Sequence, residues 1–238
     1  MRLPALALAA LAVLAAAPPQ AAEAAPSRII LLRHGEKAKG WTLCPTGELR
    51  AQALAKFYLG KGAQDSLFEG RDPPVAFLAI TPHTLGLAAP AAISWGLPVA
   101  TYAVLPSKGT DADEKDAAFT AQTQQAATDV LSNPAYTGKT VVMVWEHHHI
   151  ADAKLDKHAG AAKVTLRALF GLDALPGVPK TWPGDTYDYF WIVDLNPATG
   201  APKHFEMVKQ QFPAPFNSVP SNDWGAPDSL TAESGCAL

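Results

Sequence analysis

The chain has 238 residues, of which 48% are hydrophobic and 17% charged, with a formal net charge of -3. Such a balance excludes an intrinsically disordered chain and suits one large folded domain or two small ones. The small negative charge also excludes the broad basic surface that sequence-independent nucleic-acid binding requires.

In chain order, Met1-Arg2 is a minimal positive start and Leu3 to Ala17 is an apolar run of Leu, Ala and Val. Pro18-Pro19 then breaks any helix, and small-residue sites such as Ala22-Glu23-Ala24 follow. This is the layout of a secretory signal peptide over residues 1–24. A permanent N-terminal anchor is the alternative, but the run is shorter than the ~20 residues that span a bilayer. Cleavage between Ala21 and Ala25 is expected to leave 25–238 as a single domain. That domain would be periplasmic or secreted, with no stable membrane insertion.

After the leader, strand and helix patterns alternate. Arg28 to Leu32 is a short, nearly continuous apolar run, as in a strand buried on both faces. Thr46 to Tyr58 carries Leu49, Ala53, Leu54 and Phe57 at helical spacing. Val75 to Ile80 predicts a second strand, Thr84 to Trp95 a helix, and Val99 to Val104 a third strand. Ser107 to Asp116 is polar and acidic and predicts a surface loop, and Ala117 to Leu131 has strong helix propensity. Thr140 to Trp145 is the clearest buried strand, with one helix expected from there to about Phe170. Tyr187 to Leu195 and His204 to Val208 predict two late strands joined by a turn at Asn196 to Gly200. The tail from Gln211 predicts loop. The alternation argues for an α/β fold: a mostly parallel central sheet with helices on both faces, in three layers. In such sheets ligands lie beyond the carboxyl ends of the strands, which directs attention to the residues after Leu32, Ile80 and Trp145.

The first strand runs into Arg33-His34-Gly35-Glu36-Lys37. Arginine offers a planar fork of donors for phosphate, a neutral imidazole can attack phosphorus, and Gly35 would let the backbone approach a ligand. A surface Arg-His pair in a turn is the plainer alternative. The third strand end is Glu146-His147-His148-His149. Consecutive histidines point in different directions, and no Asp, His or Cys at zinc-like spacing completes a set, so no metal site is expected. The two cysteines, Cys44 and Cys236, could pair in an oxidising compartment or stand apart as thiols. Trp182, Tyr187, Tyr189 and Trp191 read as sheet-face packing rather than as a substrate platform.

The block from Ile29 to Ala55, IILLRHGEKAKGWTLCPTGELRAQALA, resembles the opening motif of the histidine phosphatase superfamily, the phosphoglycerate-mutase-like proteins. There a strand runs into Arg-His-Gly, and a Leu-Thr-x-x-Gly-x-x-Arg/Gln-Ala helix start follows. Leu43 to Ala51 stands in for that second part, and the strand leading to His147 is similar to the family's second catalytic block. The resemblance implies a phosphomonoester hydrolase with His34 as nucleophile, forming a phosphohistidine. Arg33 and His147 would hold the phosphate oxygens, and His83 and Lys37 would bind substrate. It implies a small phosphorylated substrate and no metal or organic cofactor.

Two positions depart from the family pattern. Pro82-His83-Thr84 stands where a second phosphate-binding arginine is usual, so His83 is either a weaker phosphate ligand or a structural histidine. The general acid is also open among Glu36, Glu146 and the acidic residues Asp111, Asp113, Glu114 and Asp116; Glu146 is preferred, with its pKa raised by burial. These gaps motivate the alternative of a catalytically weak or silent member that binds a phosphorylated ligand or partner. A mutase is a third option, which export disfavours. The segments Gly60 to Pro74 and Ser107 to Asp116 show no run of Lys or Arg, which points to a small or weakly charged ester.

Overall fold

The computed structural model describes residues 25–68, 70–105, 109–231 and 234–237, so the expected signal peptide lies outside the described residues. Six strands form one sheet: β1 (Arg28–Arg33), β2 (Pro74–Ala79), β3 (Val99–Thr101), β4 (Thr140–Trp145), β5 (Tyr189–Leu195) and β6 (Pro202–Lys209). Their order is β3-β2-β4-β1-β5-β6. The first four pair in parallel, while β5 and β6 join antiparallel, so the sheet is mixed and mostly parallel as the alternation predicts.

Every residue of β1 and of β4 is buried, because these two strands occupy the centre of the sheet and are covered on both faces. Successive side chains of β1 divide accordingly. Ile30 and Leu32 face one apolar layer with Leu54, Phe57, Leu87 and Ala91, from α1 (Pro45–Leu54), the turn after it, and α2 (Pro82–Trp95). Ile29 and Leu31 face the other layer, with Phe119, Ala126 and Val130 of α3 (Ala112–Ser132).

The element ends differ from the sequence pattern in two instructive places. The helix α3 begins at Ala112, inside the expected loop, because the Asp111 carboxylate accepts from the Glu114 backbone N–H at 2.8 Å and caps it. The single helix expected after β4 is three short ones: α4 (His147–Ile150), α5 (Ala153–Ala159) and α6 (Leu166–Leu169). Asp152 caps α5 through the Lys154 and Leu155 amides. Gly160, at φ +63°, ends it, and Thr165 caps α6. These local start and stop signals decide the element ends and divide the expected single helix.

Gly47 explains part of the first motif. A Cβ there would lie 2.2 Å from the Glu36 carbonyl oxygen, so only glycine lets the start of α1 close against the segment after β1. Gly35 acts similarly: a Cβ would meet Leu87 Cδ1 at 3.0 Å and Leu43 Cδ2 at 3.3 Å. Its lack of a side chain makes room for the protein's own packing, where the sequence suggested approach to a ligand.

Cys44 and Cys236 are joined in a disulfide, with Cα atoms 5.0 Å apart across 192 residues of chain. Next to it the Ala237 amide donates to the Lys37 carbonyl at 2.7 Å, so the tail is fixed against the loop after β1. Cys44→Ser should lower the unfolding free energy by about 3 kcal/mol, by relieving the unfolded chain of a long closed loop. Thermal denaturation with and without reductant measures this; a melting temperature indifferent to both reductant and the substitution would show that the thiols do not pair.

Candidate active site

The register of the sheet assembles the site. Arg33 pairs with Trp145 across β1 and β4, so both strands end at one level, and the His34 amide donates to the Trp145 carbonyl at 2.9 Å. His34 and the segment Glu146-His147 therefore emerge side by side. Ala79 of β2 pairs with Val144 of β4, and the Thr81–Thr84 capping box starts α2 just beyond, which brings His83 to the same edge.

His34 is buried, at 1% exposure. Its Nδ1 lies 2.8 Å from the Gly35 carbonyl oxygen, which can only accept, so Nδ1 carries the proton. The lone pair is then on Nε2, which accepts from Arg33 NH2 at 3.0 Å. Burial drives the His34 pKa well below its ordinary value; Glu146 opposes this, and the charges of Arg33, Lys37 and His83 reinforce it. Burial thus favours the neutral imidazole, with its Nε2 lone pair turned toward Arg33 and Glu146.

Arg33 is fixed from behind. Its NH1 donates to the carbonyls of Pro183, Gly184 and Thr186 at 3.1, 2.5 and 3.3 Å, and its guanidinium lies 4.0 Å above the Tyr187 ring. Its Nε is buried with no hydrogen-bond partner among the described residues. Three carbonyls thus hold the fork rigid while one donor edge stays toward His34.

Glu146 bridges the histidines. One carboxylate oxygen lies 3.5 Å from His34 Nε2, and the other forms a short hydrogen bond with His83 Nε2. Burial alone would raise the Glu146 pKa, but the His34 contact, the His83 hydrogen bond and the Lys37 charge outweigh it and hold the carboxyl well below its usual range. The sequence expectation of a raised carboxyl is therefore corrected for the free site: Glu146 is a carboxylate.

His83 is buried, its ring 5.1 Å from that of His34 and stacked under Trp41 at 6.0 Å. His147 sits 5.5 Å from His34, ring to ring, and burial, aided by the Arg33 and His148 charges, pushes its pKa down to about 2. Lys37 lines the same recess, and burial depresses its ammonium. The residues singled out in sequence, Arg33, His34, Lys37, His83, Glu146 and His147, thus converge on one place.

Glu36 does not join them. It is fully buried in a bidentate ion pair with Arg50, at 3.0 and 2.6 Å, and has no acid role there. Asp116 lines the cavity beside the site, whereas Asp111 caps α3. Two aromatic contributors were missed in the sequence. Tyr187, under Arg33, was read as packing, and Trp41 sits in a loop where no periodicity marks it.

Among the described residues, His34, Glu146 and His147 offer three potential metal-ligand atoms within 4.8 Å of one another. Sequence spacing could not show this, since the groups come from two strand ends. The Arg33 guanidinium at 3.0 Å from the His34 lone pair opposes a cation and favours an anion.

No known family profile matches the chain, and no curated protein matches it in sequence. Solved structures do match. A mycobacterial glucosyl-3-phosphoglycerate phosphatase, solved with inorganic phosphate, is 15% identical and covers 77% of this chain and 96% of its own, with a TM-score of 0.42. A mycobacterial protein described as hydrolase 2 is 14% identical and covers 88% of this chain and 94% of its own, with a TM-score of 0.40. What the site does chemically follows from its own side chains.

Proposed function

We propose that the chain is a phosphomonoester hydrolase that works through a phosphohistidine on His34. The observation that carries this reading is the placement of the imidazole: buried, anchored at Nδ1 by the Gly35 carbonyl, with its Nε2 among Arg33, His83 and Glu146. In the free site the Glu146 carboxylate lies between His34 Nε2 and His83 Nε2, in the space that a phosphate would enter.

A phosphate dianion arriving beside Glu146 raises the affinity of that carboxyl for a proton. Glu146 takes one up and can act as general acid. The His34 Nε2 lone pair attacks phosphorus, the bond from phosphorus to the leaving oxygen breaks, and that oxygen takes the Glu146 proton. The phosphorylated ring is a cation, and the Gly35 carbonyl accepts from its Nδ1–H. Glu146, now a carboxylate, removes a proton from water as the water oxygen attacks phosphorus. The electron pair of the P–N bond returns to Nε2, and phosphate leaves. Arg33, His83, Lys37 and His147 surround the oxygens on which charge accumulates.

The primary test is hydrolysis of an aryl phosphate with and without chelator. Chelator-resistant turnover supports the reading; no turnover at any pH by the folded protein would leave a silent phosphate binder. The pH dependence follows from the two groups. His34 is depressed, so it stays a nucleophile in mild acid. Glu146 must gain a proton, so kcat should rise as pH falls from neutral toward 5. Glu146→Gln should lower kcat by about a hundredfold and flatten that acid limb. An unchanged pH profile in this variant would remove Glu146 from proton transfer.

We further infer export to an oxidising compartment as a single mature domain. The leader pattern and the Cys44–Cys236 disulfide support this.

A further inference from the structure

The recess that holds Lys37, His83 and Glu146 is the inner end of a cavity of about 620 Å³. That is the size of a pocket for a drug-sized ligand, far more than a phosphoryl group fills. Its outer part is built from elements remote in sequence. Trp41 and Lys39 come from the loop after β1, and Lys115 and Phe119 come from the first turns of α3. Trp41 lies flat over His83, and the Phe119 ring lies 5.3 Å from that of His149, so apolar faces contribute to the lining. Lys115 Nζ sits 6.0 Å from the Phe119 ring, and Lys39 is exposed. Neither lysine has a carboxylate within 4.0 Å among the described residues. Asp116 and Glu146 are the acidic groups in the lining, and Glu146 is committed to His34 and His83.

Two uncommitted ammonium groups beside aromatic faces, at the outer end of a site whose inner end takes a phosphoryl group, describe one kind of alcohol. We propose that the substrate is a phosphate monoester with an aromatic or flat apolar body bearing a second anionic group. Trp41 and Phe119 hold the body, and Lys39 and Lys115 hold the second anion. This rests on the reading of the inner site as a phosphatase and deepens it. It departs from the small or weakly charged ester suggested by the lack of a basic run, because Lys39 and Lys115 are far apart in sequence and line one cavity only in the fold.

The test compares phenyl phosphate with 4-carboxyphenyl phosphate, which differ only by the second anion. For the wild-type protein kcat/KM should favour the carboxylated ester by about tenfold or more, the scale of one well-placed charge contact. In Lys39→Ala/Lys115→Ala that preference should fall to about unity, and both lysines are exposed, so the fold tolerates the change. Trp41→Ala should raise KM for both esters more than it lowers kcat, as expected for a group that binds the ring. Equal use of the two esters by the wild type, or a preference that survives the double substitution, overturns the proposal. If neither ester is hydrolysed, the phosphatase reading fails, and calorimetric binding of both esters decides the cavity separately. Tighter binding of the carboxylated ester that is lost in the double variant upholds the assignment; equal binding sinks it.

Discussion

His34→Ala is expected to reduce phosphomonoester hydrolysis by about four orders of magnitude or more, the scale seen when a covalent nucleophile is removed. The substitution deletes the Nε2 lone pair, and no neighbour can replace it. The neighbouring imidazoles are placed differently: buried His83 is hydrogen-bonded to Glu146, and half-buried His147 stands 5.5 Å away, ring to ring. The side chain of His34 makes two hydrogen bonds, to the Gly35 carbonyl and from Arg33 NH2, and Arg33 keeps its three carbonyl partners without it, so the variant should fold. Single-turnover trapping of an acid-labile phosphoenzyme, compared between wild type and variant, measures the effect. A variant that still forms the phosphoenzyme, or retains more than about one per cent of turnover, would show that another group attacks phosphorus.

The largest effect on stability is expected at Arg50, which lies outside the chemistry. Its guanidinium, 1% exposed, donates to Glu36 at 3.1, 3.0 and 2.6 Å, to Gln210 Oε1 at 3.1 Å and to the Pro220 carbonyl at 2.8 Å. It ties α1 to the segment after β1 and to the C-terminal tail. Arg50→Met would leave the Glu36 carboxylate fully buried without a counter-charge, at a cost of about 4 kcal/mol. Removing both charges, as Arg50→Met/Glu36→Met, should recover at least half of that loss, because burying the ion pair was itself costly. Urea denaturation of the two variants measures the difference. A double variant no more stable than the single one would mean that the bonds to Gln210 and Pro220, rather than the Glu36 charge, carry the effect.

The acid and its partner show how sequence and structure divide the problem. Glu36 lies three residues beyond the end of β1 and Glu146 one beyond the end of β4, and nothing in the sequence says which of them serves the site. The fold does, by placing Arg50 against the first and two histidines against the second. His83 also changes meaning. In the sequence it stands where an arginine is usual, whereas in the fold it is the hydrogen-bond partner of Glu146 and lies 5.1 Å from His34, ring to ring. The run from Trp145 to Phe170 differs in the opposite way: one helix is expected there, and the caps at Asp152 and Thr165 with Gly160 between them divide it into three.

By itself the sequence determined the parallel centre of the sheet, since the apolar runs of β1 and β4 can be satisfied only with both faces covered. It also determined that Arg33-His34 and Glu146-His147 meet, because they stand at the ends of those strands and parallel pairing makes neighbouring ends coincide. The tertiary structure decided everything that depends on groups distant in the chain. The union of Cys44 with Cys236, the burial of Glu36 against Arg50, the seat of Arg33 on the carbonyls of 183–186 and the meeting of Lys39 with Lys115 around one cavity belong to this class. The physical reason is range. Burial patterns and caps act over a few residues and are written locally, whereas charge pairing and cavity lining act through space between segments whose separation in sequence carries no record of their contact.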